Sequence, residues 1–440
     1  MKDLTILGGG AAGNRAAMLA AKAGLSVTLI ECVAAGGGVL REGYWPYKRL
    51  LADAADLTRG RGGFLGLRLL SESHVHCAIL KRAQEETEKL ARAHEDTLKG
   101  LGVEIINGIG RVEGMRERRY IVSADDTRYE TRRLLIATGS VPLVPDIANI
   151  EEHVQRGLII TPKEVLFEKL PRRVIIAGGN IRALQIAAWF ASHRIGVMLI
   201  SRGGNIAEEL DADVSRWLTR VLQGIEYLEH SKIATIDGKS VSVTVKGGGR
   251  SVECDKIVIG AKRAPATRGM GLGSMGVAIE NGAILTDLTC HTNLPDVYAA
   301  GDVNMRTLSA LGAFYEAEAC VSNMLGRRSA INYRAIPRIF NCGAIGASVG
   351  ETEETARAAG YTPTCVTVNI LDRAQEGFVK LIADEKHHLI GAHICGWDGL
   401  EVIWELAALI ESGIDLNRSA RQLRPMSVMG DAVQQAILKL

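Results

Sequence analysis

The residues with chemical potential gather near the N-terminus of this 440-residue chain. Gly8-Gly9-Gly10-Ala11-Ala12-Gly13 has G-x-G-x-x-G spacing between an apolar strand, Leu4–Leu7, and a small-residue helix, Asn14–Ala23. In that context Gly8 permits a tight turn, Gly10 lets the backbone approach a pyrophosphate, and Gly13 lets helix pack on strand. The helix N-terminus favours an anion, and Glu31, ending the next strand Ser26–Ile30, can accept a ribose hydroxyl. A little further on, Gly36-Gly37-Gly38 leads into Tyr44, Trp45, Tyr47 and Lys48, a cluster of aromatic rings beside one ammonium group.

Alternating strands and helices position these groups. A helical region runs from about Pro46 to Leu101, and its charged part, Lys81–Leu90, reads as a solvated face. Strands at Val103–Gly108 and Arg119–Ser123 lead to Leu134–Ser140. A second strand–turn–helix–strand unit begins at Val174–Gly179 and runs through Ile181–Ser192 to Val197–Ile200, with strands Lys239–Val245 and Lys256–Ile259 closing it. From Ile284 to Leu325 the pattern is strand, Ala-Gly-Asp, helix. The remainder contains a helix at Glu351–Ala359, strands at Val366–Ile370 and Phe378–Ile382, and a long helix at Leu400–Ser412. The two strand–helix–strand units are the only internal repeat.

Composition sets limits. With 47% apolar and 23% charged residues, the chain reads as an ordinary globular protein with room for two or three domains. A net charge of +2 and no basic stripe argue against nucleic acid as a partner. No apolar run reaches the roughly 18 residues of a membrane span, and no leader pattern opens the chain, so the expected location is cytoplasmic. The eight cysteines (Cys32, Cys77, Cys254, Cys290, Cys320, Cys342, Cys365 and Cys395) contain no C-x-x-C or C-x4-C pair and read as small buried hydrophobes in a reducing compartment. His74-Val75-His76-Cys77 lacks a second half, so no metal site is expected.

Three separated segments together carry a family resemblance. Gly36-Gly37-Gly38-Val39 through Tyr44-Trp45-Pro46-Tyr47-Lys48 resembles the active-site segment of the pyridine nucleotide-disulfide oxidoreductases, the dihydrolipoamide dehydrogenase and mercuric reductase group. Ala137-Thr138-Gly139-Ser140 with Pro142 resembles the A-T-G-S-x-P segment of that family, and Thr292 through Gly301-Asp302 its second flavin motif. The resemblance implies FAD, with Asp302 on the ribityl chain. It also implies two Rossmann-like nucleotide-binding domains plus a C-terminal α+β dimerisation domain, an α/β fold. The expected boundaries are 1–145 for the first part of the FAD domain, 146–265 for the NAD(P)-type domain, 266–330 for the return to the FAD domain, and 331–440 for the interface domain of a homodimer.

Against that family pattern the chemistry has been altered. Val39 and Tyr44 stand where relatives carry the redox-active cysteines of G-G-x-C-x-x-x-x-C-x-P-x-K, and a valine can neither accept electrons nor attack a disulfide. Relatives end in H-P-T-x-x-E; here Arg424-Pro425 keeps the register while Arg424 replaces the histidine and Met429 the glutamate. Arginine does not act as a base near neutral pH. The resemblance places Tyr44, Tyr47 and Lys48 near the flavin, with Arg424 arriving from the partner subunit. Together they suit a carboxylate, phenolate or quinone oxygen; alternatively the aromatics fill the vacated space as packing.

The second nucleotide unit departs too. It reads Gly178-Gly179-Asn180-Ile181-Arg182-Ala183-Leu184-Gln185, with Asn180 at the close-approach glycine, so a side chain is expected to crowd a pyrophosphate. Ser201 replaces the ribose-binding acid and is followed by Arg202, a pair that suits an NADP 2′-phosphate or belongs to a solvated loop. Gln185 replaces the glutamate that in relatives pairs with the lysine at Lys48. Weak or absent binding of NAD(P)H is the expectation. The function expected is therefore an FAD-dependent oxidoreductase that works without a cysteine relay, between NAD(P)H or another donor and a quinone, a second nicotinamide or a protein carrier. The alternative is an FAD-bearing electron-transfer or structural subunit of a larger complex.

Overall fold

The computed structural model describes residues 1–33, 36–37, 51, 72–165, 170–238, 240–245, 248–259, 262–372, 375–396, 399–425 and 427–440, without the side chains of 72–79, 240, 245, 372 and 375. The chain divides into two compact units. The first takes in the N-terminal residues, Ser73–Leu143 and Arg263–Tyr333; the second takes in Val144–Lys262 and Arg334–Leu440.

The first unit begins with β1 (Lys2–Leu7), α1 (Ala11–Lys22) and β2 (Val27–Glu31), followed by α2 (Glu72–Gly100), β3 (Glu104–Asn107), β4 (Gly110–Arg116), β5 (Arg119–Ala124) and β6 (Thr127–Ile136). Six strands of its seven-stranded sheet run in the order β3-β2-β1-β6-β5-β4, parallel across β3, β2, β1 and β6 and antiparallel beyond. Leu4, Ile6, Leu29 and Ile30 are buried because helices cover such a parallel core, which asks for unbroken apolar strands. Of the hairpin β4–β5, the sequence reading has β5, as Arg119–Ser123, but not β4. The hairpin turns on Glu117 and Arg118, both with positive φ, so no glycine or proline announces it.

The second unit opens with β7 (Ile159–Ile160), β8 (Arg173–Ala177), α3 (Ile181–Ser192), β9 (Gly196–Ile200), α4 (Ala212–Val221) and β10 (Glu226–Leu228). An antiparallel ribbon follows, β11 (Lys232–Asp237), β12 (Ser240–Val245) and β13 (Gly248–Glu253), before β14 (Lys256–Val258) completes a parallel sheet ordered β10-β9-β8-β14-β7. The chain then returns to the first unit with β15 (Val297–Ala299), parallel to β6, and α5 (Ala310–Met324). Buried alanines on α1 (Ala12, Ala16, Ala17) and on α5 (Ala313, Ala317) let these two helices pack closely.

The second unit ends in β16 (Arg338–Asn341), β17 (Ile345–Gly350), α6 (Glu353–Ala358), β18 (Thr364–Asp372), β19 (Gln375–Ala383), β20 (Leu389–Cys395), α7 (Gly399–Ser412) and α8 (Val428–Lys439). Its antiparallel sheet has the order β16-β17-β20-β19-β18. Val379, Leu381, Ile394, Ile403, Leu406 and Val433 form one core where α7 and α8 lie on the sheet. Strand alternation sends Lys380 and His393, which are register partners, to the other face, and both are buried.

Candidate functional site

The turn between β1 and α1 has the stereochemistry its glycines suggest. Gly8 has φ +100°, and a Cβ there would fall 2.4 Å from the Ala137 carbonyl oxygen. A Cβ on Gly13 would fall 1.8 Å from the Gly8 carbonyl oxygen. Gly10, the residue before α1, has nothing within 4 Å of a Cβ and no side chain to cap the helix. The N–H groups of the first turn of α1 therefore meet no capping side chain from Gly10, the arrangement that receives an anion. Glu31 is buried; its Oε2 accepts the Gly9 N–H at 2.6 Å and its Oε1 the Val33 N–H at 2.9 Å. The chain crosses back over this turn through glycine: Gly36 N–H donates to the Gly9 carbonyl at 3.0 Å, and a Cβ on Gly37 would lie 2.6 Å from Gly10 Cα.

A second wall comes from residues far along the chain. Asp302 follows Gly301, which has φ +81°. One carboxylate oxygen of Asp302, Oδ2, accepts the Ser140 hydroxyl at 2.5 Å, and Arg263 Nε donates to the same hydroxyl oxygen at 2.6 Å and lies 3.9 Å from that carboxylate. Oδ1 of Asp302 has no hydrogen-bond partner among the described residues and remains an acceptor. Thr138 Oγ1 donates to the Ala266 carbonyl at 2.7 Å, which fixes the Ala137-Thr138-Gly139 segment. Behind Gly301, Glu316 on α5 is fully buried and accepts the Gly301 N–H at 2.5 Å and the Tyr333 hydroxyl at 2.9 Å. Burial pushes the Glu316 carboxyl up from its ordinary range, against the hydrogen bonds that favour its ion.

Arg263 and Glu316 are absent from the sequence reading. Glu316 did leave a signal, since it shares a helical face with Ala313, Ala317 and Cys320, and a single acid on such an apolar stripe needs buried partners. The first site fits the FAD expected from the sequence. It has open space at Gly10, a free acceptor on Asp302, and two buried polar atoms without a partner, Asn14 Oδ1 on the first turn of α1 and Thr307 Oγ1 just before α5.

The second unit has a like turn with different contents. Gly178 has φ +144°, but Asn180 stands on ordinary extended backbone with φ −77°. Its Oδ1 caps α3 by accepting the Ala183 N–H at 3.0 Å, which sets the side chain over the start of the helix. Ile181 N–H, the first of the helix, is taken at 2.7 Å by Glu209 Oε1. The crossing here is made by Ala207, whose N–H donates to the Gly179 carbonyl at 2.7 Å. Ser201 Oγ accepts the Gly203 N–H at 3.2 Å, while Arg202 is exposed. Gln185 Oε1 accepts the Asn341 N–H of β16 at 3.1 Å, so its amide serves the packing of α3 on the interface sheet.

Two features of the interface domain complete the picture. Arg424 is folded back into its own domain: its guanidinium donates to Glu405 at 2.5 Å, to the Ser419 hydroxyl at 2.9 Å and to Gln434, and only 5% of the side chain is exposed. Those bonds tie the segment before α8 to α7, while the buried Nε of Arg424 has no hydrogen-bond partner among the described residues. Lys380 is buried and donates to Asp211 at 2.9 Å, Asp213 at 2.8 Å and Glu353 at 3.1 Å, joining the cap of α4 to the interface sheet. The positions of Val39, Tyr44, Trp45, Tyr47 and Lys48 lie outside the described residues; Gly36 and Gly37 are the members of that segment that the structure places.

The family described as pyridine nucleotide-disulphide oxidoreductase matches residues 2–317, and its dimerisation domain matches residues 336–437. Dihydrolipoyl dehydrogenase 3 of Pseudomonas putida is 28% identical over 461 residues, covering 100% of this chain and 98% of the relative. A mercuric reductase of Acidithiobacillus ferrooxidans is 28% identical over 454 residues, covering 98% of this chain and 81% of the relative. Among solved structures, LpdA from Mycobacterium tuberculosis has a TM-score of 0.87 at 22% identity, covering 100% of this chain and 99% of that one. The HOCl-induced flavoprotein disulfide reductase RclA from Escherichia coli has a TM-score of 0.84 at 22% identity, covering 99% of each chain. These two structures share the fold.

Proposed function

The chain belongs to the pyridine nucleotide-disulphide oxidoreductase family, and from that premise we propose that its flavin exchanges electrons directly with a small donor and acceptor, with no cysteine relay between them. Members of the family are FAD-dependent oxidoreductases that use NAD(P)H, and the dimerisation domain points to a homodimer. The observation that carries the reading is an FAD turn with its stereochemistry intact in a chain whose two relay positions hold Val39 and Tyr44.

When bound, FAD supplies the electron carrier. The chain's own residues supply the rest. The turn Gly8–Gly13 and the start of α1 hold the pyrophosphate, Glu31 takes a ribose hydroxyl, and Asp302, fixed through Oδ2 by Ser140, offers Oδ1 to the ribityl chain. Family position puts Lys48 beside the ring as a fixed positive charge and Tyr44 and Tyr47 on its open face, where phenols orient an oxygen-bearing substrate such as a quinone. Ser201 and Arg202 are the residues that choose between NADH and NADPH, if either donates.

The capped helix of the second unit favours a second reading, an FAD-bearing electron-transfer or structural subunit with no nicotinamide turnover. Anaerobic mixing with NADH and with NADPH separates the two, since bleaching of the flavin supports turnover and an unbleached flavin supports the subunit. Dihydrolipoamide, glutathione and mercuric reductase activities are expected to be absent. NADH-linked lipoamide turnover, lost on changing any remaining cysteine to serine, overturns the proposal of a relay-free flavin.

A further inference from the structure

The phosphate-binding end of α3 already has an anion on it, and that anion belongs to the chain. Glu209 Oε1 sits 2.7 Å from the N–H of Ile181, the first residue of the helix. At such an end a dinucleotide places its pyrophosphate, held by the same N–H groups and by the helix dipole. The loop carrying Glu209 is built to hold that position. Ala207 N–H bonds the Gly179 carbonyl at 2.7 Å, Glu208 Oε1 accepts the N–H groups of Gly204 and Asn205 at 2.8 and 3.1 Å, and Asp211 at the loop's far end caps α4 and binds Lys380. Arg338 Nη1 donates to the Glu209 carbonyl at 3.3 Å. Glu209 itself is exposed, so its carboxylate can be displaced without unfolding the loop.

We propose that Glu209 is an internal competitor for the dinucleotide pyrophosphate, closing the second nucleotide site with a carboxylate of its own loop. The proposal rests on the reading of that site as a weak one and names the residue that makes it weak. Asn180 removes one helix N–H from the ligand's reach and Glu209 removes another. A pyrophosphate must displace Glu209 to bind, so affinity depends on this residue more than on contacts to the adenine.

The test uses the full-length, flavin-loaded protein. Isothermal titration with ADP-ribose, which carries the pyrophosphate, and with adenosine, which carries no phosphate, is run on the unmodified protein, Glu209→Ala and Glu209→Gln. Glu209→Ala is expected to tighten ADP-ribose by about tenfold and to leave adenosine unchanged, with Glu209→Gln in between. Hydrogen exchange read on peptides covering residues 178–184 is expected to quicken in Glu209→Ala without any ligand. Should Glu209→Ala fail to fold, Glu209→Gln carries the test at unchanged side-chain length, and ADP-ribose no tighter than in the unmodified protein then overturns the proposal. Weak ADP-ribose binding that Glu209→Ala leaves unchanged overturns the plug and keeps the weak site, with Asn180 as its cause. Tight binding in the unmodified protein, made tighter still by Glu209→Ala, keeps the plug and overturns the weak site. Tight binding unaffected by the substitution overturns both.

Discussion

The two strand–turn–helix units of this chain start from nearly the same backbone and end with opposite dispositions. In each, the third residue of the turn precedes the helix and a later loop crosses over, bonding the carbonyl of the second glycine: Gly36 to Gly9 in one, Ala207 to Gly179 in the other. In the first unit the crossing residues are glycines and the helix start carries no cap from Gly10. In the second, Asn180 caps the helix from within and Glu209 occupies its first N–H. A helix N-terminus is a general-purpose anion site, and what it binds depends on whether the chain leaves it open. In the second unit two donors of the helix start are satisfied from within the chain, whereas Gly10 puts no side chain on the first.

The comparison can be broken most severely at Lys380. Lys380→Met leaves Asp211, at the end of the Glu209 loop, without its ammonium, and removing one member of such a buried pair costs about 3–5 kcal/mol. Chemical denaturation of the flavin-loaded protein should show a loss of that size in the second unit, and hydrogen exchange in residues 201–211 should rise. The same cluster sets an acid limit. Burial works against the Asp213 ion, but Lys380 and Arg216 hold its carboxyl below the usual range, and Arg357 and then Lys380 do the same for Glu353. Folded values below unfolded ones mean that this stabilisation is whole above the unfolded carboxylate pKa of about 4 and is lost as pH falls through the folded values. Lys380→Met should flatten that acid dependence in a stability–pH series.

A smaller effect is expected at Gly13, where a methyl group would fall 1.8 Å from the Gly8 carbonyl oxygen. The second unit carries Ala183 at the corresponding position without difficulty, buried in its own helix. Gly13→Ala should cost about 1–3 kcal/mol by overpacking and release FAD, seen as a loss of yellow colour on gel filtration. Retention of full flavin would show that the first turn is less constrained than its geometry implies.

Asn180 separates capping from exclusion. Asn180→Ala removes the cap and should cost about 0.5–2 kcal/mol, whereas glycine costs only a few tenths. Asn180→Gly should therefore leave the melting temperature nearly unchanged while reduction by NADH becomes faster, and Gln185→Glu should add to this only in combination, since positioning precedes electrostatics. Reduction of the unmodified protein within milliseconds would remove the contrast between the two units.

Much of this was legible in the chain itself. Gly8, Gly10, Gly13 and Glu31 announce a nucleotide turn because their spacing answers a local requirement of backbone conformation, and α3 runs from Ile181 to Ser192 as its apolar periodicity indicates. Val39 and Tyr44, standing where the resembled family carries its relay cysteines, are the sequence ground for proposing a flavin without a relay. The tertiary structure decided what depends on partners distant in sequence. It showed Glu316 beneath Gly301, Arg263 on Ser140, Arg424 turned inward, and Gln185 bound to Asn341. Glu209 has no place in the sequence reading, being one acid among Glu208, Asp211 and Asp213. Its bond to Ile181 spans 28 residues and exists only because the loop between β9 and α4 folds back over a helix start, a path that no local propensity encodes.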